Sequence, residues 1–135
     1  MRNRNLANDY VRRAEARLKA LEVLFDAQSW ADVVRESQEI VELSLKGLLR
    51  SAGIDPPRIH DVGDVLLAER GRLPGSLTEH AEQLAEASRS LRRDRELAFY
   101  GTEDLTPSDF YRRKDAESAR QAARLVVKLV RPHVA

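Results

Sequence analysis

The sequence predicts an all-α protein, an up-and-down four-helix-type bundle with one additional short helix, in a single domain spanning residues 1–135. Three observations carry this. Apolar residues recur at alternating threes and fours over four long stretches, the repeat of one helix face. The composition, 42% apolar and 33% charged with only 5% aromatic, is that of amphipathic helices packed together. Glycine and proline collect between the periodic stretches, where they punctuate a helical chain.

The first helix runs from Asn5, with Ala7, Val11, Ala14, Leu18, Leu21 and Phe25 on one face. Ser29, three residues before Asp32, offers an N-cap to a second helix that reaches Ala52 and stops at Gly53. Its inward arc holds Val34, Val41 and Leu48 with Val33, Ile40 and Leu45 beside them, while Glu36, Glu39, Lys46 and Arg50 point elsewhere. Ser37 and Ser44 are small enough for a close helix approach, inside the bundle or across a dimer. "GIDPPRIH" is a loop, since each proline disfavours helix in the residue before it. A short third helix, "DVGDVLLAER", follows. "SLTE", Ser76 to Glu79, has the spacing of a capping box for a fourth helix that continues to about Phe99. "GTEDLTPSDF" reads as a loop, and a fifth helix from about Tyr111 sets Ala116, Ala119, Ala123, Val126 and Val130 on one face before ending near Pro132. Four helices of about 20 to 25 residues, roughly 30 to 38 Å long, are matched for lateral packing. Antiparallel alternation puts the loop after the fourth helix at the same end as the loop after the second.

The totals exclude several functions. No cysteine means no disulfide framework and no thiolate metal ligation, compatible with a cytoplasmic location. No apolar run approaches the roughly 20 residues that cross a bilayer, and the first ten residues lack the apolar centre of a signal peptide, so no membrane association is expected. A net charge of +1 gives no overall bias towards polyanions, so any basic site is local. His60, His80 and His133 show no paired ligand spacing, hence no metal and no cofactor are expected, and no Ser/His/Asp set can be argued. His60 and Asp61 read as a helix start, His80 as exposed, His133 as part of a fraying tail, and Trp30 as a core anchor.

One stretch breaks the pattern. The seam of the fourth helix reads Leu77, Ala81, Leu84, Ser88, Leu91, Arg95 and Ala98, with an arginine where the repeat reserves an apolar side chain. A guanidinium cannot shed its proton to enter a core, so it is paired, reaches water or opens onto a wet cleft. Arg89, Arg92 and Arg93 crowd the same turns, Tyr100 and Gly101 close them, and Arg112, Arg113 and Lys114 arrive just past the loop. One reading pairs these cations with Asp94 and Glu96, or with Glu36, Glu39 and Glu42 of the second helix. The other is a phosphate site, in which arginine forks hold oxygens and tyrosine stacks or donates a hydrogen bond. Glu42 and Lys46, four apart, are either a surface helix pair or, for Glu42, a cleft residue.

The run "ESQEIVELSLKGLLRSAGIDPPRIHDVGDVL" from Glu36 to Leu66 resembles the second helix and following turn of HEPN (higher eukaryotes and prokaryotes nucleotide-binding) domains, with Glu42, Lys46, His60 and Asp61 at the family's spacing. "RELAFYG" and "KDAESARQAARLVVKLV" resemble the end of a later helix and the last helix of that family, so the likeness spans about residues 5 to 130. The resemblance implies an all-α bundle, a homodimer whose two copies share one cleft, and a minimal nucleotidyltransferase partner in a toxin–antitoxin-type pair. It implies nucleotide or RNA binding rather than sequence-specific DNA recognition. Several branches of the family are metal-independent ribonucleases that carry arginine followed, four to six residues on, by histidine. Arg95 matches the arginine, but Tyr100 stands in place of the histidine and Gly101 follows. No arginine lies four to six residues before any histidine of this chain. Imidazole exchanges protons near neutrality, whereas an ordinary phenol, with a pKa near 10, is a poor base there. Arg95 and Tyr100 are thus the candidate catalytic pair, and Arg92, Arg93 and Arg95 the candidate phosphate contacts, in a protein expected to bind. The alternatives are a ribonuclease in which Tyr100 or His60 replaces the missing base, and a non-catalytic scaffold subunit.

Overall fold

The structure, a computed structural model, describes residues 2–58, 62–101 and 105–134, apart from the side chains of 2–4 and 92–99. Among the described residues seven α-helices follow in order: α1 (Arg2–Asp26), α2 (Trp30–Ser51), α3 (Val62–Ala68), α4 (Gly75–Thr78), α5 (Ala81–Tyr100), α6 (Pro107–Phe110) and α7 (Arg113–Val130). A 3-10 turn at Arg70–Arg72 precedes α4 and another, Arg131–His133, follows α7. The described residues contain no β-strand.

The long helices α1, α2, α5 and α7 make the bundle, and α2 is its axis, packed by the other three. Its buried set therefore wraps much further round than the predicted arc, taking in Ser37, Gln38, Ser44, Gly47 and Leu49 as well as the apolar seam. The α1 stripe is buried as expected, with Leu18 at its edge. Glycine at position 47 lets α1 and α2 approach closely. A Cβ there would stand 2.9 Å from Val11 Cγ2 and 3.1 Å from the Ala7 carbonyl oxygen. The Arg17–Glu36 bridge, 3.0 Å, fixes the same antiparallel register further along. Ser37 and Ser44 lie inside this one chain's core, which resolves their two readings, and Ser44 Oγ donates to the Ile40 carbonyl at 2.8 Å.

Helix ends follow backbone demands. Gly53 has φ +78°, and the Ile54 N–H bonds back to the Leu49 carbonyl at 2.8 Å, the left-handed stop the sequence announced. Of three expected starts, one holds in place and two differ. Ser29 is the N-cap residue of α2 as expected, but its hydroxyl donates to Asp32 Oδ2 at 2.6 Å and makes no cap bond to the backbone. The capping box at Ser76 does not form. Ser76 Oγ lies 3.1 Å from His133 Nε2, and the expected single helix is broken into α4 and α5, a break that lets Leu73, Leu77 and Ala81 all reach the core. The fifth helix begins two residues later than expected, as Tyr111 is extended and buried, while the Arg112 N–H donates to Asp115 Oδ2 at 2.9 Å. The preceding loop holds a helical turn of its own, α6, with Thr106 Oγ1 accepting the Asp109 N–H and Pro107 in the first turn.

The two loops expected at one end lie at opposite ends. Arg72 donates to the Gly53 carbonyl at the foot of α2, whereas Arg113, at the start of α7, sits over the rings of Phe25 and Trp30 at its head. The cause is α3. Its Asp64 meets Arg89 and the following Arg70 meets Glu82, so α3 runs antiparallel to α5 and parallel to α2 rather than alternating. The tail is tied down: Val134 is buried, and Arg131 Nη1 donates to its carbonyl.

Candidate functional site

The candidate residues gather where α5 ends. Leu91 is the last seam residue whose side chain is described, and it is buried. The side chains of Arg92, Arg93 and Arg95, and those of Asp94, Glu96 and Ala98, lie outside the described residues, as do His60 and Asp61. Tyr100 is 76% exposed on the last residue of α5. Gly101 has φ +76°, and a Cβ on it would meet the Leu105 carbonyl oxygen and Pro107 Cδ at 2.7 Å each. Both facts require glycine. The tyrosine is thus the last residue of α5, next to a glycine packed against Leu105 and Pro107.

Among the neighbouring cations, Arg89 is spoken for by Asp64 at 3.0 Å. At the start of α7, Arg113 pairs with Glu117 at 3.0 Å and lies 5.6 Å over Phe25 and 5.9 Å over Trp30. Trp30 is half-buried and edge-on to Phe25 at 5.1 Å, which makes it the anchor expected, with part of its ring left at the surface. Glu42 is half-buried and engaged. It lies on the half of α2 towards Ser51, while Tyr100 lies beyond the level of Val34, so helix rise separates them by roughly 20 Å within one chain.

Sequence reasoning missed a groove. Helices α5 and α7 both pack on α2 but diverge from each other, leaving a cleft of about 510 Å³ floored by Val34, walled by Ala87 and Leu91 on one side and Ala119 and Ala122 on the other, and closed by Tyr111. Glu86 and Asp115 line it, so it is an apolar cleft with carboxylates and repels phosphate. The small residues of α7 were its only sequence signal. Among the described residues, no group of three His, Asp or Glu side chains could hold a metal ion, and no helix is long and apolar enough to cross a membrane.

The described residues thus form a helical bundle around one central helix, with an exposed tyrosine and an obligatory glycine closing α5. The model of the HEPN domain family matches residues 7–133, almost the whole chain, and the protein belongs to that family. No curated protein and no solved structure matches it. The family points to a nucleotide- or RNA-related function in general terms.

Proposed function

We propose that this chain is a nucleotide- or RNA-binding HEPN protein in which the α5 terminus holds phosphate and Tyr100 stacks on a base or donates a hydrogen bond. In this reading Arg92, Arg93 and Arg95 supply the phosphate contacts, and the family's catalytic histidine is replaced by Tyr100, so binding persists without efficient cleavage. The protein works as a homodimer, in a toxin–antitoxin-type pair with a minimal nucleotidyltransferase. The observation that supports it best is the display of Tyr100 at 76% exposure beside a Gly101 that no other residue can replace without collision. An exposed phenol at the end of an arginine-rich helix offers a ring and a hydroxyl to a ligand.

Calorimetric titration with nucleoside mono- and triphosphates and a short RNA tests it. Binding that falls at least tenfold in Arg95→Ala, and by a smaller factor in Tyr100→Phe, is the expected result. Absence of binding to any of them removes the proposal. Metal-independent cleavage by the wild type, lost in both variants, replaces it with the ribonuclease reading.

A further inference from the structure

The last helix carries a feature that the α5 terminus does not use. At 3.6 residues per turn, Arg113, Arg120, Arg124, Lys128 and Arg131 fall within an arc of about 80° along α7, with Glu117 the one carboxylate of that helix among them. The arc faces away from the groove, towards the flank of α1. There Glu22 Oε1 accepts from both Arg120, at 3.1 Å, and Arg124, at 2.6 Å, and Glu15 takes Arg131 at 2.9 Å. One carboxylate shared by two guanidinium groups leaves an excess of positive charge on the seam. It also fixes the planes of the arginines, whose forks each carry five N–H donors and so keep several for another acceptor. Arg113 and Arg124 are at least half exposed, and Lys128 is exposed with no partner among the described residues.

We infer that this α7 flank is a track for the sugar-phosphate backbone of single-stranded RNA, leading to the α5 terminus. The row extends about 27 Å, with a cation roughly every turn, which suits a repeating anion better than one phosphate. Its upper end, where Arg113 overlies the partly open ring of Trp30, lies at the head of the bundle, the end towards which α5 also runs; cation and ring together suit a stacked base. A membrane surface fits less well, because the large exposed apolar residues, Leu6, Val23, Tyr100 and Phe110, all lie outside α7, and an interfacial helix needs apolar side chains to insert. The track rests on the RNA-binding reading above, extending it to chains longer than a nucleotide.

The test is fluorescence anisotropy of a labelled twelve-nucleotide oligouridine between 50 and 200 mM salt, with wild type, Arg124→Gln/Lys128→Gln and, as a control on the opposite flank, Arg70→Gln. Removing two phosphate contacts lowers the slope of log affinity against log salt by about 1.4 and weakens binding about tenfold near physiological salt. Arg70→Gln stays within twofold, and uridine monophosphate binds the double variant as it binds the wild type. Equal affinity and equal slope in the double variant overturn the track while leaving the α5 site standing. A wild type that binds neither oligouridine nor nucleotide overturns both, and one that ignores oligouridine but binds phosphatidylserine vesicles overturns the track in favour of a membrane.

Discussion

Gly47→Ala probes the contact that sets the spacing of α1 and α2. Alanine favours the helix over glycine by about 1 kcal/mol, so at an exposed position the substitution would stabilise. At position 47 the added methyl lands 2.9 Å from Val11 Cγ2, 3.1 Å from the Ala7 carbonyl oxygen and 3.5 Å from Tyr10 Cβ. Val11 is β-branched and fully buried, and the carbonyl belongs to the α1 backbone, so neither yields without moving a helix. Overpacking costs about 1–3 kcal/mol, and with two unyielding contacts the upper part of that range, about 2–3 kcal/mol, applies; set against a propensity gain of about 1 kcal/mol it leaves a net loss of about 1–2 kcal/mol. In urea unfolding followed by circular dichroism, the midpoint falls with the slope unchanged, and Tm drops by roughly 4–8 °C. Gly71→Ala, with nothing within 4 Å of its Cβ, is the control and stays within about 0.5 kcal/mol of wild type. Gly47→Ala at or above wild-type stability would refute the close packing of α1 on α2.

Other substitutions test other parts of the fold. Gln38 is 1% exposed, with neither amide atom bonded among the described residues, so Gln38→Leu raises stability by about 1–2 kcal/mol in the same urea assay. Glu22→Ala strips the carboxylate from Arg120, which is held 3.6 Å over Phe25, and costs about 1–2 kcal/mol, whereas Glu82→Ala, at an exposed bridge, costs less than about 0.5 kcal/mol. Gly101→Ala meets both a positive φ and two 2.7 Å collisions. It costs about 2 kcal/mol or more and weakens nucleotide binding, read by differential scanning calorimetry and titration together.

The α1 stripe from Ala7 to Phe25, the stop at Gly53 and the buried face of α7 were all legible in the sequence, because each depends on local periodicity or on one residue's backbone freedom. Reading helix starts from side-chain caps placed the start at Ser29 correctly, though its hydroxyl bonds Asp32 rather than the backbone, and failed at Ser76, whose hydroxyl faces His133. His133 is 57 residues from Ser76, a partner that no window of sequence contains. The Arg92–Tyr100 stretch was visible as a violated repeat, whereas the α5–α7 groove was not, since it is a space between helices.

By itself the sequence determined the helical class, the long helices and the placing of an arginine-rich turn before tyrosine and glycine, since a 3.6-residue repeat and glycine's access to positive φ act within a few residues. Only the tertiary structure decided that α2 is the central helix, that α3 runs parallel to it and sends the two loops to opposite ends, and that Glu22 gathers two arginines from α7. Those outcomes depend on which faces meet, and helix packing and charge pairing join residues as far apart as 22 and 124 through space rather than along the chain.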